Sequence, residues 1–213
     1  MMFEIIIYQK TSLPPAAAMQ VQEIYESSFP APEREPFTSL LDGVEQGSSW
    51  LTCGLQDGKI IGFGVVTPLS RAGIFFLGYI AIQQADQGKG LGSKLLEAIL
   101  EASIRAHAAG ILLEVEDPGD VESVGEPEKR LKRIQYYKKN GGALIDDGGI
   151  YRMPNLTGPG SLAMRLMWIP GDTQIDPGVP MALRDLLILV YGEIYGRTKV
   201  DDLLVQSVLA RLP

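Results

Sequence analysis

Hydrophobic and polar positions change period several times along this chain, and each change marks an element. Phe3 to Tyr8 is apolar and rich in β-branched residues, which predicts a first strand. Ser12 and Pro14 offer a cap and a first-turn proline for a helix running to about Ser27. The proline-framed stretch Phe29 to Pro36 reads as a loop, with a short helix after Pro36. Ser49 to Leu55 and Lys59 to Pro68 are two strands joined at Asp57-Gly58, a strong hairpin signal. Gly73 to Ile82 adds a third strand to that meander. From Leu91 to Ala109 apolar residues recur at helical spacing, as Leu91, Leu95 and Ile99 beside Leu96, Leu100 and Ile104. Gly110 stands where a helix terminator belongs.

Ile111 to Glu116 is the next strand, closed by Asp117-Pro118-Gly119. An acidic loop runs from there to Pro127, and Glu128 to Asn140 forms a helix stopped by Gly141-Gly142. Ala143 to Ile145 and Leu162 to Ile169 read as final strands around an irregular stretch, Asp146 to Gly160. A linker from Ile169 to Pro180 separates residues 1–170 from a C-terminal extension, 171–213. There Leu183, Leu186, Leu187, Val190, Tyr191 and Ile194 trace an amphipathic helix, and a second runs from Lys199 to Leu212. Such apolar faces read as core or as dimer surface, and a homodimer is one expectation.

Composition narrows the function classes. The chain has 213 residues, 46% of them hydrophobic, which suits one globular domain with an appendage. The formal net charge is -7, against the basic face of a nucleic-acid binder and mildly in favour of cationic substrates. Cys53 is the single cysteine, so no internal disulfide or cysteine-cluster metal site is expected. His107 is the single histidine, and no nucleophile motif recruits it. No residues have metal-ligand spacing. The acidic start is unlike a signal peptide and no run has membrane-spanning length, so a cytoplasmic location without membrane or nucleic-acid partners is expected.

The most informative chemistry is Gln87-Gly88-Lys89-Gly90-Leu91-Gly92, with three glycines in five residues between a strand and a helix. Glycine lets backbone N–H groups approach a ligand and adopt φ > 0. The helix start adds unpaired N–H groups and a partial positive charge. Together they suit a phosphate or pyrophosphate, with Lys89 and Lys94 nearby. A second signal lies in the strand Ile111–Glu116. Alternation places Leu112, Glu114 and Glu116 on one face of what should be an apolar central strand. Two carboxylates there need partners or a water-filled cleft. One is a candidate general base, with Glu116 favoured at the strand's C-terminal end; an ion pair with Arg130, Arg133 or a lysine is the plainer alternative. Gly78 inside the preceding strand marks a bulge, a close backbone approach or a gap for a neighbouring side chain.

These segments, in this order, resemble the GNAT superfamily of acyl-CoA-dependent N-acetyltransferases. Gln87, Gly90 and Gly92 match its Gln/Arg-x-x-Gly-x-Gly/Ala signature, preceded by Tyr79-Ile80-Ala81-Ile82, and Tyr136, Tyr137 and Gly141 match its aromatic-Tyr-x-x-x-Gly element. The resemblance spans about residues 3 to 169, departing from the pattern at Gly142, where the family has phenylalanine. It implies an α/β fold, with a mixed sheet of about six to seven strands, an antiparallel N-terminal meander and helices on both faces. It implies acetyl-CoA as cosubstrate, held by Ile80, Ala81, Ile82, Gln87, Gly88, Lys89, Gly90, Leu91, Gly92 and Ser93. Leu77–Ile82 and Ile111–Glu116 would splay to admit the pantetheine arm, a backbone N–H near Ile82 would meet the developing oxyanion, and Tyr137 would be the general acid. The acceptor would be a small-molecule or peptide amine, in a site shaped by the Phe29–Phe37 loop and the 146–160 segment, where Asp146 and Asp147 could attract a cation. Rival readings are an acyl-CoA-binding module without catalysis and a dinucleotide-binding oxidoreductase; the second conflicts with the five residues separating strand from first glycine.

Overall fold

The structure is a computed structural model that describes residues 3–120, 127–146, 149–171, 178–197 and 202–212. Expectations for the acidic loop at 121–126, for Asp147, for the linker at 172–177 and for the start of the last helix at 199–201 lie outside the described residues.

Strands β1 (Phe3–Tyr8), β2 (Trp50–Gln56), β3 (Lys59–Pro68) and β4 (Ile74–Ile82) form the expected antiparallel meander. The β2–β3 turn places both Asp57 (φ 51°) and Gly58 (φ 74°) in the left-handed region that a two-residue hairpin turn requires. Strand β5 (Gly110–Glu116) then lies parallel to β4. A parallel neighbour needs a crossover, which α3 (Leu91–Arg105) provides after α1 (Pro15–Ser28) and α2 (Phe37–Gln46). Helix α4 (Pro127–Lys139) follows β5, and β6 (Ala143–Leu144), β7 (Arg152–Pro154) and β8 (Ser161–Pro170) complete the strands. The order is β1-β2-β3-β4-β5-β8-β6, with β7 also on β8, making eight strands where six to seven are expected. The three-residue β7 is the strand hidden in the stretch that reads as irregular.

Helices cover both faces. α3 and α4 pack on one, through Leu95, Leu96, Ile99, Ile134 and Tyr137 against Leu77, Ile111, Leu113 and Val115. On the other, α1 and α2 cover the meander around Phe63, Val65 and Tyr79. Beside them α5 (Leu183–Glu193) and α6 (Leu203–Leu209) bury Leu186, Val190, Tyr191 and Val205 against Ile74, Phe76, Leu112 and Trp168. The apolar stripe of α5 is therefore part of the core, while Leu203 at the start of α6 stays exposed. Among the described residues no helix is long and apolar enough to cross a membrane.

Two helix ends differ from expectation. Ser12 does not cap α1; its hydroxyl bonds Glu45, and Pro14 holds the N-cap position. α3 stops at Arg105 because His107 (φ 65°) reverses the chain, with Ala108 N donating to Ser103 O at 2.9 Å. Gly110 instead opens β5, where a Cβ would lie 2.4 Å from the Trp168 ring.

Candidate active site

The site begins as a fork in the sheet. β4 and β5 pair from Ile74↔Gly110 to Leu77↔Leu113, and no further pairs join them, although β4 runs on to Ile82 and β5 to Glu116. The cause is local. Val66 pairs with Leu77 but Val65 with Tyr79, so Gly78 is an extra residue in β4. The bulge bends β4 and flips its side-chain parity. Phe75 and Leu77 face α3 before it; Ile80 and Ile82 do so after it. Beyond the bulge β4 stays with β3, while β5 stays with β8 through Glu114↔Leu166 and Glu116↔Met164. Gly78 is exposed although it sits in mid-sheet. The diverging strand edges, including that of Ile80, Ala81 and Ile82, leave backbone groups to be met by water or a ligand.

The glycine elbow follows the fork directly. The Gln87 side chain donates to the Ile82 carbonyl at 2.9 Å and ties the loop to the strand end. Gly88 and Gly90 both have φ 76°, and a Cβ on either would meet nothing within 4 Å. The space before the elbow is therefore open, and left-handed backbone is what demands glycine. Gly90 is the N-cap of the 15-residue α3, and no side chain caps it. The N–H groups of the first turn, at Leu91, Gly92 and Ser93, lack intrahelical partners. This cradle can receive a phosphate or pyrophosphate. Lys89 at its rim is ion-paired to Asp86 at 2.6 Å. A Cβ at Gly92 would lie 3.4 Å from the Tyr136 hydroxyl, so α4 closes the elbow from behind.

Carboxylates gather on the opposite face. Glu114 is the first β5 residue past the fork. It accepts hydrogen bonds from the Tyr151 hydroxyl and, at 2.7 Å, from the Tyr195 hydroxyl. Burial pushes its pKa up to about 7, against the pull of both hydroxyls. Glu116 is ion-paired with Arg133 of α4, the plainer of the two roles open to it. Glu33 ends a 3-10 turn, Ala31–Glu33, and is also pushed up to about 7, first by burial and then by Glu116. Its loop is pinned to the sheet, because the Tyr79 hydroxyl donates to Glu33 O and accepts from Glu35 N, each at 3.2 Å.

Tyr137 occupies the other face. Arg130, Ile134 and Tyr137 are the buried residues of α4, spaced to face β5. Burial raises the Tyr137 phenol well above its usual range, Tyr136 adds to the rise and Arg133 opposes it. Tyr136 itself is pushed up to about 12 and lies beside Ser93. Asp146 departs from expectation. It is buried and ion-paired with Arg165 at 3.1 Å, and it accepts from Leu166 N, so it is spent on structure. Cys53 is buried under α1, its thiol pushed up to about 12 by desolvation.

The elbow, both β5 carboxylates and the α4 tyrosines are candidates from the sequence; Glu33, Tyr151 and Tyr195, which the fold brings beside Glu114, are not among them. For Glu33 there was one signal, an acid in a loop stiffened by Pro30 and Pro32. For Tyr195 there was none, since it meets Glu114 from 81 positions away.

Residues 18–131 match the family model described as Acetyltransferase (GNAT) family, and the chain belongs to that family. The match takes in the fork and the elbow and stops short of Tyr137. No curated protein matches the chain. Solved structures share its fold. A GNAT-family protein from Bacteroides thetaiotaomicron aligns over 93% of this chain and 100% of its own, with TM-score 0.66 and 22% identity. The ribosomal-protein-S18-alanine N-acetyltransferase of Escherichia coli aligns over 85% of this chain and 100% of its own, with TM-score 0.56 and 18% identity. A Salmonella typhimurium protein solved with its cofactor acetyl-CoA aligns over 85% and 99%, with TM-score 0.56 and 18% identity.

Proposed function

We propose that this protein is an N-acetyltransferase that moves an acetyl group from acetyl-CoA to a primary amine by direct attack within a ternary complex. One observation carries the reading. The sheet forks ahead of an uncapped glycine elbow, with a carboxylate poised near neutrality on one face and a buried phenol on the other. Residues 87–93 hold the pyrophosphate through main-chain N–H groups, and the free edge at Ile80, Ala81 and Ile82 pairs with the pantetheine amides. When bound, acetyl-CoA supplies an acyl group already activated as a thioester.

The amine arrives as a cation on the face that carries Glu33, Glu114 and Glu116. Glu114 acts as the general base. An acid of pKa about 7 is substantially ionised at neutral pH yet basic enough to take a proton from an ammonium. Glu116, engaged by Arg133, supports the cleft rather than the proton transfer. Tyr137 keeps its proton at neutral pH because burial disfavours the phenolate, so it holds that proton for the departing sulfur. A backbone N–H near Ile82 meets the charge that develops on the carbonyl oxygen.

The test is release of free thiol from acetyl-CoA across a panel of primary amines, comparing the native protein with Glu114→Gln. Amine-dependent release, lowered at least a hundredfold by the substitution, is expected. Binding of acetyl-CoA without turnover on any amine would favour a sensor or scaffold instead.

A further inference from the structure

We propose that Tyr195, just beyond α5, is a positioning residue for Glu114, which makes the C-terminal extension part of the acceptor site; this rests on Glu114 as the base. The two oxygens of Glu114 are held separately, Oε1 by the Tyr151 hydroxyl and Oε2 by the Tyr195 hydroxyl. One donor on each oxygen stops the carboxylate from rotating and leaves its remaining lone pairs for the fork. Tyr151 precedes β7, and Tyr195 comes from a different part of the chain. Neither lies in the segment 18–131 that the family model covers.

The placement of Tyr195 is over-determined. Tyr191, one turn earlier, is fully buried and donates to Arg152 O at 2.6 Å. Its ring lies 5.7 Å from that of Tyr151 and 6.4 Å from that of Tyr195, so the three rings form one packed group. Glu193 accepts from Ser70 N at 2.8 Å, which fastens the end of α5 to the β3–β4 turn. After Tyr195 the chain turns back, with Arg197 N donating to Tyr191 O at 2.7 Å. Arg197 is also paired with Asp202, whose side chain caps α6. A tyrosine kept only for packing has no need of its hydroxyl, whereas here the hydroxyl donates to Glu114, the first carboxylate past the fork.

The titratable and charged groups facing Glu114 are Glu33 from the 3-10 turn, Tyr79 from β4, Tyr151 from the loop before β7, and Tyr191 and Tyr195 from the extension. Hydroxyl donors favour the anion over the acid. Removing one should therefore raise the pKa of the base without touching the donor site.

The experiment is Tyr195→Phe in the full chain, which keeps the ring and deletes one oxygen. The acid limb of kcat/KM for the amine should move up by about one pH unit, so the rate falls about fivefold at pH 7 and about tenfold well below it, and recovers as pH rises. KM for acetyl-CoA should not change. Tyr151→Phe, which frees the other oxygen, should act in the same direction and serves if the first variant folds poorly. Independently of activity, carbon-13 NMR of labelled glutamate, with Glu114 assigned through Glu114→Gln, should show its midpoint rise in both variants. An unmoved midpoint, or a loss of rate equal at every pH, would overturn the inference. Failure of the underlying base reading would look different, as undiminished turnover by Glu114→Gln.

Discussion

Gly90→Asp, with Gly90→Asn as its partner, separates what the elbow does for the fold from what it does for a ligand. Gly90 has φ 76°, and a Cβ there would meet nothing within 4 Å. Both variants therefore carry mainly the strain of left-handed backbone, about 1 kcal/mol and eased for Asn and Asp. The aspartate also gains up to about 1 kcal/mol from the positive end of α3. A change of 1 kcal/mol moves Tm by about 2–4 °C in a chain of this size, so both variants should melt within a few degrees of the native protein, the aspartate no lower. Binding should diverge. A carboxylate about 5 Å from a phosphate at an effective dielectric near 20 costs about 3 kcal/mol per unit charge, and screening at this exposed site lowers that figure. Calorimetric titration should find acetyl-CoA bound roughly ten- to a hundredfold more weakly by the aspartate than by the asparagine variant. The gap should narrow as salt is added. Equal affinities for the native protein and both variants would refute the elbow as the anion site.

Tyr137→Phe should lower kcat about a hundredfold while leaving the Kd of acetyl-CoA unchanged, because only a late proton is lost; normal turnover in stopped-flow thiol release would reject the acid role. Stability should also depend on Glu114. Its folded pKa, about 7, lies above its ordinary value, so its contribution is complete below about pH 4.5 and is lost as pH rises through 7. That loss amounts to up to about 3 kcal/mol, and urea midpoints between pH 5 and 8 should fall less steeply in Glu114→Gln. Asp146→Asn should cost about 3 kcal/mol in denaturant titration, since it leaves the Arg165 guanidinium partly buried without its counter-charge. Acetyl-CoA affinity should be unaffected in the folded fraction.

Local chemistry made much of this protein legible. Left-handed turns need residues that tolerate them, so Asp57-Gly58 marked the hairpin and the spaced glycines marked the elbow. Amphipathic period marked α3 and α5 because each has one buried face, and Gly141-Gly142 marked the end of α4. Even the surplus of charge on β5 could be read, because a central strand has no reason to carry two acids. Short elements were less visible. β7 has three residues and borrows its stability from β8, and α3 ended early through a single His107 dihedral that no propensity anticipates.

What remained was decided by contacts between distant segments. Sequence alone offered Glu114 and Glu116 as neighbours on one strand face and favoured Glu116 for its place at the strand's C-terminal end. Tertiary structure made them different, giving one an arginine from α4 and the other two tyrosine hydroxyls. It also turned Asp146 from a candidate cation attractor into a buried ion pair, and of the two readings of the α5 stripe, core or dimer surface, it made the stripe core. The physical reason is the same in each case. Backbone preferences depend on a few neighbouring residues and are written locally, whereas the acidity of a carboxylate depends on the water it loses and the partners it meets, and the fold alone assigns both.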